Sequence, residues 1–234
     1  MAIAKVASTL SVSNSTSITT SAIDTTGADL LVVCVSFDAG FGSPAVSDSK
    51  GNTWSGLTAI NPGSNSSSSQ MFYCVPTSVG SGHTFTVSSS RFYGVIPIAF
   101  SGIKASSPFD VENVGSVVGT NTGVSSGSIT PSENGELIIS GAACSGIGWL
   151  TLTVDNSLTI DQENNGTAAG TGVALAYKVQ STAAAINATW DFGGSRNMAA
   201  SAVIASFKEA SAAATYIPPR FEQARQAIAR GSRW

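Results

Sequence analysis

"GADLLVVCVSFDAG", residues 27–40, is the stretch whose reading decides the fold. A turn glycine and an acid lead into the unbroken apolar run Leu30–Val35, and a second glycine closes it. The run is far shorter than the ~18 residues a membrane span needs, and its β-branched and aliphatic character between turn residues reads as a strand. The same signature returns at 134–146 as "NGELIISGAACSG". Asp29 matches Glu136 at an offset of 107, Tyr73 matches Tyr177 at 104, and Phe100 matches Phe207 at 107. Three ordered strand signatures near one offset predict an internal duplication. One half then exposes a hydrophobic face that only the other half covers.

Further strand-like runs lie between Gly, Ser, Asn and Asp clusters: "QMFYCV", "HTFTVS", "VIPIAF", "VALAYKVQ", "INATWDF" and "ASAVIASF". No stretch before residue 215 carries a capped helical pattern of three turns. The expected fold is all-β, a two-sheet jelly-roll-type β-sandwich with internal pseudo-duplication, plus a short C-terminal helical or extended tail. The expected division is a sandwich over 1–209 and an Ala/Pro linker with an Arg-rich anchoring tail over 210–234.

Charge supports that division. Charged residues are only 11% of the chain, against a usual ~25%. Residues 1–209 carry 7 Lys and Arg against 13 Asp and Glu, whereas 210–234 carry 4 against 1. An acidic body does not suit nucleic acid, whose phosphates demand a basic face. The N-terminal "MAIAKVASTLSVSNSTS" has no apolar core of signal-peptide length, so no export by that route and no membrane are expected. Cys34, Cys74 and Cys144 are odd in number and widely spaced, the pattern of buried reduced thiols rather than of a disulfide framework or zinc site. No cofactor is implied.

"VSDSKGNTW" (46–54), the strand "NGELIISGAA" (134–143) and the closing runs "AYKVQ" (176–180), "ATW" (188–190) and "ASAVIASFK" (200–208) resemble a jelly-roll β-sandwich module of bacteriophage virion proteins and bacterial surface proteins, similar in shape to concanavalin-A-like lectin folds. The resemblance spans about residues 15–208. It implies a module that decorates capsids, builds fibres or binds glycans, and it implies no reaction.

Candidates for chemistry are few. "GVSSG" (123–127) matches the GxSxG pattern with Ser125 as nucleophile, but Pro131 and a further strand follow where the motif requires a helix. His83 is the single histidine, so any Ser-His-Asp triad must use it. Asp110 with Glu112, and Asp161 with Glu163, stand at i and i+2, the spacing that puts two acids on one strand face as a glycosidase requires. The same alternation also protects a strand edge. Asp48, Ser49 and Asn52 offer oxygen ligands for Ca²⁺, but the loop lacks the acidic density of an EF-hand and a hairpin turn at Gly51 explains the same residues. Trp54, Trp149 and Tyr93 are candidates for stacking on sugars, or for core positions.

Four of the six arginines fall in the last fifteen residues. Pro218-Pro219 starts a helix that Gly231 ends, and a helical wheel gathers Phe221, Ala224, Ile228 and Gly231 in one sector flanked by Arg220 and Arg225. About eleven residues of helix are too few to stand alone. The expected partner-binding set is Arg220, Phe221, Arg225, Ile228, Arg230 and Trp234, docking in a groove with an acidic rim. The function expected is that of a non-enzymatic phage virion protein, a capsid decoration or head-fibre protein. Its partner would be a major capsid protein or other virion subunit, with a further copy of the chain and a surface glycan as additional candidates. The alternatives are a carbohydrate-binding adhesin or tail-fibre component, and a glycoside hydrolase. The virion is the expected location, after synthesis in the host cytoplasm.

Overall fold

A computed structural model describes residues 2–63, 67–145, 151–166 and 171–211, apart from the side chains of 89, 92, 93 and 196. The six expected tail residues, Trp149 and the Tyr93 ring lie outside what is described.

Among the described residues every regular element is β except one 3-10 turn, Ala39–Phe41. The first sheet comprises β1 (Ala4–Ser8), β2 (Ser11–Thr19), β3 (Leu30–Asp38), β4 (Ala45–Asp48), β5 (Ser55–Gly56), β6 (Ser68–Cys74) and β7 (Phe85–Ser101). The second comprises β8 (Phe109–Ile129), β9 (Glu136–Ser145), β10 (Thr153–Val154), β11 (Thr159–Asn164), β12 (Thr171–Gln180) and β13 (Ile186–Phe207). In the first, β3 is central with β7 and β6 beside it; in the second, β9 is central between β13 and β12. β1, β2 and β4 pair with β7 as β8 and β10 pair with β13. The chain is an all-β sandwich with an internal duplication, and each repeat forms one whole sheet rather than interleaving strands with the other.

The ladders reproduce the sequence offsets residue by residue. Leu30 pairs with Phe100, and Leu137 pairs with Phe207. Val32 pairs with Ile98 and Tyr73, while Ile139 pairs with Ala205 and Tyr177. The repeats meet at the link Lys104–Ser107, where Lys104 N donates to Lys208 O (3.0 Å) and Lys208 N donates to Pro108 O (2.8 Å).

Alternation along the central strands shows how the core is layered, because successive side chains point to opposite faces. Leu30, Val32 and Cys34 of β3 join Leu137 and Ile139 of β9 in a cluster between the two sheets. Leu31, Val33, Val35 and Phe37 point the other way and pack with Ile18, Phe85 and Val87, which lie on β2 and the first part of β7. In the second repeat, Ile138, Ala142 and Cys144 likewise pack with Val124, Ile186, Ala188 and Trp190 of β8 and β13. Each sheet therefore curls over itself. Three cores result, one shared and one private to each repeat, and β3 is buried along its whole length. Each fully buried aliphatic or aromatic side chain contributes about 1.5–3 kcal/mol.

The shared core is organised about a pseudo-twofold axis. Cys34 and Gly141 are equivalent by the 107 offset, and they touch: a Cβ on Gly141 would fall 2.1 Å from Cys34 Sγ. Flanking them, a Cβ on Gly94 would fall 2.2 Å from Val173 Cγ1. The equivalent positions are Ser201 and Ser69, whose hydroxyls lie 2.8 Å apart. A contact that recurs between exchanged equivalents is the mark of an isologous interface. The repeats have diverged at it by volume: Gly94 admits Val173, and Gly141 admits Cys34.

Candidate functional site

The most organised polar constellation is inside the first repeat, between the turn after β4 and the strand-like approach to β7. Asp48 Oδ1 accepts from Lys50 N (2.8 Å) and, at 3.3 Å, from Asn52 Nδ2; Asp48 Oδ2 accepts from Trp54 Nε1 at 2.7 Å. The side chains of Asp48 and His83 are both fully buried, with Oδ1 3.2 Å from His83 Nε2. That contact has ion-pair distance but not hydrogen-bond angle, since Nε2 lacks a well-aligned acceptor. On the far side of the ring, Thr25 Oγ1 lies 2.9 Å from Nδ1, and Gly80 N donates to Thr25 Oγ1 at 3.0 Å. His83 also stacks on Phe85, with ring centroids 4.5 Å apart. Burial works to raise the Asp48 carboxyl, but hydrogen bonds from Trp54, Lys50 and Asn52, with the His83 imidazole close by, outweigh it and hold the group below the ordinary carboxylate value.

Thr25, His83 and Asp48 thus form a line of hydroxyl, imidazole and carboxylate, the order used in nucleophilic catalysis. Thr25 and His83 are 0% exposed, so no substrate reaches them. The line is a brace that ties the 23–25 segment to the β4 turn. The proposed Ca²⁺ ligands are spent in the same brace: Asn52 Oδ1 accepts from Thr77 N and Ser78 N, and Ser49 Oγ accepts from Thr84 N. Gly51 takes the left-handed conformation of the turn, φ +76°. Among the described residues, no group of three or more His, Cys, Asp or Glu is arranged to hold a metal ion.

The paired acids do not act as pairs. Glu112 reaches from β8 across to the other repeat, accepting from Thr58 N and Thr58 Oγ1. Ser8, which stands opposite Ile98 as Glu112 stands opposite Ala205, receives Gln162 Nε2 at 3.2 Å. These two contacts are related by the pseudo-twofold. Lys5 strengthens the second by binding Asp161 at 2.5 Å. A register shift between Ile160 and Gln162 turns Asp161 inward while Glu163 stays exposed, so the expected common face is lost. Asp110 accepts from Ser132 N and Oγ, both at 2.7 Å, and from Lys208 at 3.1 Å.

Ser125 lies within β8 on the opposite sheet from His83, and its hydroxyl engages Asn187 rather than a base. Trp54 is half-buried, its ring set edge-on to Phe85. All three cysteines are buried free thiols, with Cys34 and Cys74 pushed up to about 12 by burial. Such thiols are inert.

One exposed feature is organised for contact. The 3-10 turn is capped by Asp38, whose Oδ1 accepts from Gly40 N at 3.0 Å, and it holds Phe41 57% exposed. The Arg91 guanidinium sits 5.5 Å from that ring's centre, and its Nε donates to Asn14 Oδ1. Phe41 leaves only a faint signal in the sequence, a lone aromatic in a Gly-Phe-Gly turn after a buried strand. No family model, curated protein or solved structure matches this chain.

Proposed function

We propose that the protein is a non-enzymatic structural component of a bacteriophage virion, a capsid decoration or head-fibre protein held on a major capsid protein or other virion subunit by its C-terminal segment. One observation supports a structural role above all. The residues with the means for chemistry, Asp48, His83, Glu112 and Asp161, are consumed in bracing turns and in joining the two repeats. The resemblance of the strand motifs to virion sandwich modules supports the virion as the place, and the concentration of arginine beyond residue 210 supports an anchoring role for that segment. The test is co-purification with virions, in a fixed ratio to the major capsid protein. Deleting residues 216–234 removes no strand of the sandwich, so the body should keep its melting temperature while attachment is lost. Phe221→Ala or Ile228→Ala should each weaken attachment by roughly 1–3 kcal/mol. Full occupancy of particles by the truncated chain would sink the anchor.

Phe41 favours a second reading, glycan binding by an adhesin or tail-fibre component. An exposed ring backed by a guanidinium suits the apolar face of a sugar bearing a carboxylate. On a glycan array, Phe41→Ala should abolish the binding of the intact chain; equal binding by both chains would remove this reading.

A further inference from the structure

The foot of the second sheet gathers four carboxylates and one ammonium where the chain leaves the sandwich. Glu136, the first residue of β9, is 0% exposed. Its Oε1 accepts from Glu133 N at 2.9 Å. Its Oε2 and the Ser206 hydroxyl are both enclosed without a well-formed hydrogen bond, although they lie within reach of one another, and the Asp110 carboxylate stands beside them. A fully buried carboxylate oxygen with no aligned donor, next to an ionised acid, favours the protonated carboxyl.

We propose that Glu136 and Asp110 share one proton and that this proton fastens the foot of the second sheet, so that the joint from which the C-terminal segment departs loosens as pH rises.

The surroundings decide which acid carries it. Asp110, from β8, is fixed by Ser132 and by Lys208, which also reaches Glu133 Oε1 at 3.4 Å. Burial acts to raise the Asp110 carboxyl, yet the Ser132 and Lys208 contacts hold it below the ordinary range. For Glu136, burial raises the carboxyl, the nearby Ser206 hydroxyl and the bond from Glu133 N act against it, and the Asp110 charge adds to the rise. The proton therefore resides on Glu136. The remaining charged neighbour is Glu209, whose carboxylate lies against Gly135; a Cβ there would fall 2.6 Å from Glu209 Oε2. Gln180 of β12, opposite Glu136, is neutral.

The other repeat shows the contrast. Asp29, equivalent to Glu136, is only half-buried and accepts from Gly102 N at 2.7 Å. What loosens is local. Lys208 N binds Pro108 O, Lys104 N binds Lys208 O, and Ala210 N binds Gly102 O at 2.8 Å, so the foot knits the link between repeats to the exit of the tail.

The test compares the full chain with Glu136→Gln and Asp110→Asn from pH 4.5 to 8. A carboxyl raised in the folded state makes the folded chain bind more protons than the unfolded one, so stability falls as pH climbs above about 4.5, the ordinary glutamate value. The melting temperature of Glu136→Gln should match that of the wild type near pH 4.5 and exceed it increasingly toward pH 8. Hydrogen-exchange protection at Lys208 and Ala210 should fall about tenfold or more over that range in the wild type and stay level in Glu136→Gln. Asp110→Asn, which removes the neighbouring charge, should show a smaller pH response than the wild type. Parallel pH profiles for wild type and Glu136→Gln, or protection at Lys208 and Ala210 that does not change with pH, would overturn the proposal.

Discussion

Replacing Asp48 with alanine is expected to destabilise the folded chain by about 3–5 kcal/mol, because it leaves an indole N–H and two turn amides without their acceptor and removes the carboxylate that faces a buried imidazole. The loss comes from the groups left behind rather than from the packing of the missing carboxylate. Asp48→Asn keeps the shape and should cost less. The carboxyl is held below its ordinary value of 3.8, so the unfolded chain binds the extra proton on acidification. Its contribution is therefore complete above about pH 3.8 and is lost as pH falls through the lower folded value. Urea denaturation followed by tryptophan emission at pH 7 and pH 3 measures both effects. An Asp48→Ala chain within 1 kcal/mol of the wild type at pH 7 would show that the brace does not hold the first repeat together.

The second large effect lies on the pseudo-twofold axis. Gly141→Cys should cost about 2–3 kcal/mol, since the new Cβ alone would fall 2.1 Å from Cys34 Sγ in the close-packed shared core. Gly94→Val should cost as much by driving its Cβ to within 2.2 Å of Val173 Cγ1. Neither glycine has the positive φ that would make the backbone the cause. Both substitutions attack the layer between the sheets, so unfolding should remain one transition and shift as a whole. Two separated transitions would mean that each repeat holds itself together through its private core.

The duplication was legible because β3 and β9 are enclosed on both faces, which leaves an apolar run too plain to miss, with the same acid and turn glycine before each. The long strands were not. "HTFTVS" and "VIPIAF" read as two strands, yet residues 85–101 form one, β7, bent through a Ser-rich middle. Beyond the "FDVEN" run β8 was not legible as a strand, since more than half of its residues are Gly, Ser, Thr or Asn and its exposure alternates without a regular apolar pattern. The brace escaped because its members stand far apart, at Thr25, Asp48 and His83, and composition assigns each of them to a turn. The axis contact was within reach: aligning the repeats sets Gly141 under Cys34, a small residue against a larger one. The tail residues, by contrast, rest on sequence alone.

Because Cys34 and Gly141 are equivalents that touch, exchanging them should restore what either change removes. The decisive measurement is the double-mutant cycle of Cys34→Gly, Gly141→Cys and the exchanged pair, by urea denaturation with reductant present to keep the thiols apart. Duplication about a pseudo-twofold predicts that Cys34→Gly leaves a cavity, Gly141→Cys overfills the axis, and the exchanged chain recovers most of both losses. Losses that simply add would mean that the two residues do not share one symmetric contact, and the packing of the repeats would have to be drawn differently.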